Sequence, residues 1–217
     1  MSPFNYLQEL GVISWQPRAQ ETAQKFPQKV ATSSSDWKSL QAAVSHCVKC
    51  GLHQGRTQTV FGVGNQDAEL MLIGEAPGFY EDQQGEPFVG RAGQLLTAML
   101  KAIGLERQQV YIANILKCRP PNNRDPLPEE VQACTLYLDQ QIKLVKPDLI
   151  VAVGRIAAHY LLNTKTSLES LRSKIHHYGE DKTSLIVTYH PAYLLRNPQD
   201  KKKAFVDLQF ILKKLAT

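Results

Sequence analysis

The chain reads as an α/β protein built on a parallel sheet covered on both faces. Two observations predict this. Four short, almost unbroken apolar runs occur at Glu69–Ile73, Val110–Leu116, Leu149–Val153 and Leu185–Tyr189. Segments with helical periodicity separate them, and strands buried on both faces carry such unbroken runs. The length of 217 residues suits one sizeable α/β domain.

The elements follow in order. PFNYLQELGVISW (3–15) reads as a short amphipathic helix ending at the apolar Trp15. Gln16–Asp36 is polar, contains Pro17, Pro27 and Ser33–Ser35, and has neither helical nor strand period, so it reads as a linker. The folded domain is therefore expected over 37–217, behind an N-terminal segment and linker over 1–36. Asp36 suits the N-cap of a helix carrying Trp37, Leu40 and Val44. After the first strand, Leu95, Leu96, Met99, Leu100 and Ile103 mark a second helix. After the second strand, Pro128 suits the first turn of a helix whose Val131, Cys134, Leu138, Ile142 and Val145 share one face. A further helix follows Gly154 and runs to Leu162. The last carries Ala204, Leu208, Ile211 and Leu215. There are no internal repeats.

Composition excludes some classes. Hydrophobic residues make up 43% of the chain, ordinary for a globular protein, and no run approaches the length needed to cross a membrane. The net charge of +5 is consistent with a polyanionic partner without specifying one. Met1–Trp15 has neither a long apolar run nor a basic start, so a cytoplasmic location is expected.

The four cysteines carry more. Cys47 and Cys50 form a Cys-x-x-Cys knuckle; Cys118 and Cys134 stand apart from it and from each other. Disulfides are rare in cytosolic proteins, and a thioredoxin-like site needs a strand before the knuckle, where Trp37–His46 looks helical. A four-thiolate metal site is the expected use. Zinc and an iron–sulfur cluster both take four thiolates, and the wide second pair leans toward a cluster without deciding it.

Ligands of open α/β sheets bind at the carboxyl ends of the strands. The first strand runs into Gly74-Glu75-Ala76-Pro77-Gly78, followed by Glu81-Asp82. The second contains Asn114 and leads to Lys117-Cys118-Arg119-Pro120-Pro121. The fourth is followed by His190-Pro191-Ala192. Any one of these is unremarkable, since Gly-Pro turns and capped polar groups are common. Three strand ends delivering a carboxylate-bearing glycine loop, an amide and an imidazole to one rim predict a binding pocket.

GEAPGFYEDQQGEPFVGRAGQLL (74–96), YIANILKCRPPNNRDPLPEE (111–130) and TYHPAYLL (188–195), with the cysteine spacing, resemble the family 4 uracil-DNA glycosylases, the iron–sulfur branch of the uracil-DNA glycosylase superfamily. The resemblance covers roughly 38–215. It implies a three-layer α/β/α fold with a central four-stranded parallel sheet, and a [4Fe–4S] cluster on Cys47, Cys50, Cys118 and Cys134. It also implies monofunctional excision of uracil from DNA by hydrolysis of the N-glycosidic bond, at the start of base excision repair. Phe88 is then expected to stack on the flipped base. Asn114 would read its edge, and His190 would donate to uracil O2. Gly74, Glu75 and Ala76 would frame the site, with backbone N–H groups near Glu75 and Ala76 adding to the stabilisation.

The position that holds a water-handling aspartate in the best-known branch is Ala76 here, so Glu75 and Glu81 are the candidates for the water. Glu81 is alternatively a guard at the C5 edge of the base. Pro191, Tyr193, Leu194, Leu195 and Arg196 would enter the DNA where the base departs, and Lys117, Arg119 and Arg124 would meet phosphates. The run Lys201–Lys203 reads as a solvated helix face. A glycosylase for another deaminated base, or a non-catalytic iron–sulfur protein that binds DNA or recruits a partner, are the competing readings. A monomer is expected. YLQELGVISWQPR (6–18) resembles the partner-binding tail of the small psi subunit of the bacterial clamp loader, implying a replication partner for that segment.

Overall fold

The computed structural model describes residues 34–216. The expected amphipathic segment and most of the linker lie outside the described residues. Helix α1 (Ser34–Ser45) begins two residues before the expected cap, so Asp36 falls in its first turn, where a carboxylate faces the positive end of the helix dipole. Its Trp37, Leu40 and Val44 are buried, as their spacing requires.

The remaining elements alternate. They are β1 (Val63–Gly64), β2 (Leu70–Gly74), α2 (Phe79–Gln84), α3 (Arg91–Lys101), β3 (Tyr111–Asn114), α4 (Pro128–Val145), β4 (Leu149–Val153), α5 (Arg155–Leu161), α6 (Leu168–Leu171), β5 (His176–Tyr178), β6 (Thr183–Thr188), α7 (Pro191–Arg196) and α8 (Lys201–Leu215). The four expected strands are β2, β3, β4 and β6, and they pair in parallel. Two short antiparallel strands, β1 and β5, extend the edges to give the order β1-β3-β2-β4-β6-β5.

Side chains alternate across the sheet with period two. Met71, Ile73, Ala113, Ile150, Ala152, Leu185 and Val187 face a core that includes α1, α4 and α5. Leu70, Leu72, Ile112, Val151, Val153 and Ile186 face the other core, filled by α3 and α8. Both faces are covered, which is why the runs in the sequence were unbroken. No helix among the described residues is long and apolar enough to cross a membrane.

The order also fixes where a ligand can sit. From β2 the chain goes outward to β3 on one side; from β4 it goes to β6 on the other. The connections thus diverge between β2 and β4, opening a crevice at their carboxyl ends.

Candidate active site and cysteine pocket

A cleft of about 930 Å³ opens over that crevice. Its wall carries Glu75–Gly78 and Glu81 from the end of β2, Asn114 from β3, Gly154 and Arg155 after β4, and His190 after β6. Phe88 lines it too, from the loop before α3.

Phe88, Asn114 and His190 converge on this one cleft. The Phe88 and His190 rings lie 5.6 Å apart between centroids, inclined by 33°. Asn114 sits opposite Gly74 in the β2–β3 register. A Cβ on Gly74 would lie 2.4 Å from Asn114 Oδ1 and 2.6 Å from Phe88 Cζ, so only glycine leaves room for both. Phe88 has a left-handed backbone, φ 56°, and its carbonyl rests where Gly93 would carry a side chain. Asn114 is 2% exposed, and its Oδ1 is buried without a hydrogen-bond partner. A buried acceptor left unpaired costs about 1–3 kcal/mol, which makes Asn114 Oδ1 a candidate acceptor for a ligand donor.

His190 is held from two sides. Its Nδ1 accepts from the Ala192 N–H at 3.1 Å. Gly154, φ +96°, approaches so closely that a Cβ there would stand 2.8 Å from His190 Cβ. In the two residues before it, Thr188 donates at 2.9 Å to the Asp207 carboxylate that Arg172 pairs with at 2.8 Å, and the Arg172 guanidinium lies 4.3 Å from the Tyr189 ring centroid. Burial, and secondarily the charge of Arg196, push His190 down to about 4, against the opposing effect of Glu81. At neutral pH the ring is therefore uncharged. With Nδ1 accepting, its single proton belongs on Nε2.

The two glutamates differ. Burial raises Glu75 to about 7, with Asp125 adding and Arg155 opposing. Asp125 and Arg155 form an exposed ion pair at 3.0 Å on the cleft wall. Glu81 instead binds the backbone: its Oε2 accepts from Gly78 N–H at 3.1 Å, and its Oε1 from Val89 and Gly90 N–H at 3.0 and 3.1 Å. It staples the start of α2 to the loop carrying Phe88.

Other expected contacts are redistributed. Lys117 does not reach a phosphate: it is 1% exposed, and its Nζ donates to the Asn114 carbonyl at 2.8 Å and to Gln141 Oε1 at 2.5 Å. Arg124 is engaged by Glu130 through two hydrogen bonds. Leu194 is 1% exposed and packs in the core, and Pro191 is buried at the first position of α7. Leu195 is half-buried and Arg196 exposed. Lys201–Lys203 are exposed, as expected of a solvated face.

The sequence motifs assign no role to the end of β4, yet Gly154 and Arg155 stand there on the cleft wall. The available signal was Val153-Gly154-Arg155 closing an apolar strand, the same strand-then-glycine pattern that marked Gly74.

Cys47, Cys50, Cys118 and Cys134 line one pocket, and all four are free thiols. Two N–H groups point at the sulfurs: Arg56 Nη1 donates to Cys118 Sγ at 3.3 Å, and Lys117 N–H to Cys134 Sγ at 3.2 Å. Burial pushes the Cys134 thiol up to about 11, against the opposing charge of Lys117. A bound metal would reverse that by stabilising thiolates. Among the described residues no set of three or more His, Cys, Asp or Glu side chains is poised to grip a metal ion. The shared pocket and its N–H···S donors are the features that fit a four-thiolate group.

Residues 61–212 match the model of the Uracil DNA glycosylase superfamily. The chain is 47% identical over 175 residues to the type-4 uracil-DNA glycosylase of Archaeoglobus fulgidus, covering 77% of this chain and 87% of that one.

The chain belongs to the type-4 uracil-DNA glycosylases.

Further type-4 uracil-DNA glycosylases, from Sulfurisphaera tokodaii and Thermotoga maritima, are 47% and 46% identical over 170 and 165 residues. Each alignment covers 75% of this chain, and 77% and 85% of those relatives respectively. Within this family assignment, the cleft between β2 and β4 is the candidate glycosylase site.

Proposed function

We propose that this chain removes uracil from DNA by flipping the nucleotide into the β2–β4 cleft and hydrolysing its N-glycosidic bond. The observation that carries the reading is the unpaired Asn114 Oδ1, buried beside the Phe88 ring. Uracil presents a donor at N3 and an acceptor at O4. The Asn114 carbonyl accepts the first and its amide donates to the second. Cytosine presents the reverse pattern, leaving both groups unpaired, which is how a polar site discriminates strongly.

Flipping is needed because the reacting bond is out of reach in the stack. Phe88 offers the flipped base an aromatic face. Bond cleavage leaves a cationic sugar and a uracil anion, with charge developing at O2. Neutral His190 donates Nε2–H to that oxygen, held in line by the Ala192 N–H behind it. Glu75, ionised above about 7, is the group available to hold the attacking water, since the Glu81 oxygens already accept three backbone N–H groups. The one lysine on the cleft wall among the described residues, Lys203, is paired with Glu169 and Asp200. Among the described residues the cleft wall thus offers no unpaired amine as a nucleophile, which supports base removal without strand cleavage. Leu195 and Arg196 are the outward-facing members of the α7 segment, suited to fill and flank the space the base leaves.

Cys47, Cys50, Cys118 and Cys134 would hold a [4Fe–4S] cluster, whose iron–thiolate bonds would cross-link the segment after α1, the loop after β3 and α4. Recruitment through residues 6–18 rests on their resemblance to the clamp-loader tail, and is tested by binding of a 1–20 peptide to the purified chi subunit.

The decisive experiment uses a labelled oligonucleotide with one deoxyuridine. Strand cleavage only after alkali, and none with thymine in its place, is the expected result. No release by folded protein with its cluster intact overturns the assignment.

A further inference from the structure

One feature of the cleft mouth lies outside the base pocket. Phe79 and Tyr80, the first two residues of α2, are 49% and 59% exposed, an unusual display of two adjacent large aromatic rings. Their rings meet edge to face, 5.5 Å apart at 81°. Arg119 lies over Phe79, 5.0 Å from the ring centroid, while its Nε donates to Asn123 Oδ1 at 2.7 Å. Gly78, immediately before Phe79, and Asn123 both line the cleft. The patch is therefore continuous with the wall of the base pocket.

We propose that Phe79 and Tyr80 form a stacking platform for an unpaired nucleobase next to the flipped uracil, with Arg119 meeting the phosphate between the two nucleotides. The proposal rests on the uracil-DNA reading above. Ring faces suit any base, and a guanidinium suits the phosphate attached to it. The acidic residues that follow do not oppose a phosphate. Glu81 is bound to three backbone N–H groups, and Asp82, 2% exposed, accepts from the Thr57 N–H at 3.0 Å. Tyr80 has its inner edge against Gly90, where a Cβ would stand 3.3 Å from Tyr80 Cδ2, so the ring is braced while most of it stays open.

The platform predicts that the enzyme senses the neighbouring base by stacking, whatever its identity. The test uses the full chain and single-stranded oligonucleotides with one deoxyuridine. The nucleotide on each side in turn is either a normal thymidine or an abasic spacer. Replacing one neighbour by the spacer should raise KM about tenfold in the unmodified enzyme. In the Phe79→Leu/Tyr80→Leu variant the two KM values should agree within about twofold, because the rings are lost while apolar bulk remains. The Phe79→Tyr/Tyr80→Phe exchange, which keeps both ring faces, should retain the difference. If the double leucine variant does not fold, Tyr80→Leu alone carries the comparison. A tenfold difference persisting in the leucine variants overturns the platform. So does the absence of any difference in the unmodified enzyme, which would assign the patch to another partner. Absence of uracil release from every oligonucleotide would instead overturn the function on which the platform rests.

Discussion

The backbone N–H of Ala192 donates to Nδ1 of His190, two residues earlier in the chain. That bond fixes the tautomer of the imidazole and so decides which nitrogen can face a ligand. Because burial holds His190 down to about 4, its charge does not change over the pH range in which histidines ordinarily titrate. Replacing His190 by Ala should lower kcat about 10²–10³-fold, as loss of one donor to a developing oxyanion does, with a smaller change in KM. Single-turnover uracil release measures the two separately.

Glu75 is the group expected to carry a pH dependence instead. Its folded value of about 7 lies above the ordinary 4.5, so the group favours the folded state while protonated and loses that advantage as pH rises from about 4.5 through 7. Uracil release should rise as pH passes through about 7 in the unmodified enzyme. In Glu75→Gln it should be much slower and flat from pH 8 to 5, since His190 stays neutral there. The same substitution should raise Tm at pH 8 and leave it little changed at pH 4. A pH–rate profile and thermal melts at the two pH values check both signs.

Asn114 carries its unpaired acceptor at a cost to the free protein. Asn114→Ala should reduce kcat/KM for uracil by about 10²-fold or more, while stability stays equal or improves slightly, because an unsatisfied buried oxygen is removed. Kinetics and denaturant unfolding of one preparation test the pair of effects.

Gly74→Ala places a methyl group 2.4 Å from Asn114 Oδ1 and 2.6 Å from Phe88 Cζ. The pocket must open to admit it, and the expected result is loss of uracil release with retention of the near-400 nm absorbance that the proposed cluster would give. Measured together, the two signals separate damage at the base pocket from damage at the cysteines.

Cys134→Ala should lower the absorbance near 400 nm and the thermal stability together, with Tm falling by at least several degrees. Iron analysis of the purified variant, alongside its melt, checks the link. A variant that lost the absorbance yet kept its stability and activity would remove the structural role assigned to the metal.

Much of this architecture was legible in the sequence, for identifiable reasons. Leu149–Val153 matches its strand residue for residue because five buried apolar residues leave no other place for the segment. Pro128 marked the start of α4 because its missing N–H has no partner to lose there. The edge strands β1 and β5 were missed because two or three residues with partial exposure carry no alternation to detect. Lys117 and Leu194 were misplaced for a different reason. A lysine between an apolar strand and a cysteine looks exposed until Gln141, 24 residues later, supplies its acceptor. Leu194 was expected to enter the DNA because His-Pro disguises the start of a short helix, whose inward face it occupies. At the candidate site, the identities of Phe88, Asn114 and His190 were readable from motifs. The left-handed Phe88 backbone and the approach of Gly154 to His190 were not, since both depend on contacts distant in sequence.

The Glu81 staple has a consequence for how such a chain can diversify. By anchoring Gly78 on one side and Val89–Gly90 on the other, one carboxylate isolates the stretch between them. Residues 83–86 lie within the stretch that the staple closes, and Gln83, Gln84 and Glu86 are exposed. Insertions there would lengthen a surface loop at the mouth of the cleft while the base-holding ring stays where it is. That makes 83–86 a natural graft point, where new segments that wrap DNA or recruit other proteins can be added without redesigning the chemistry.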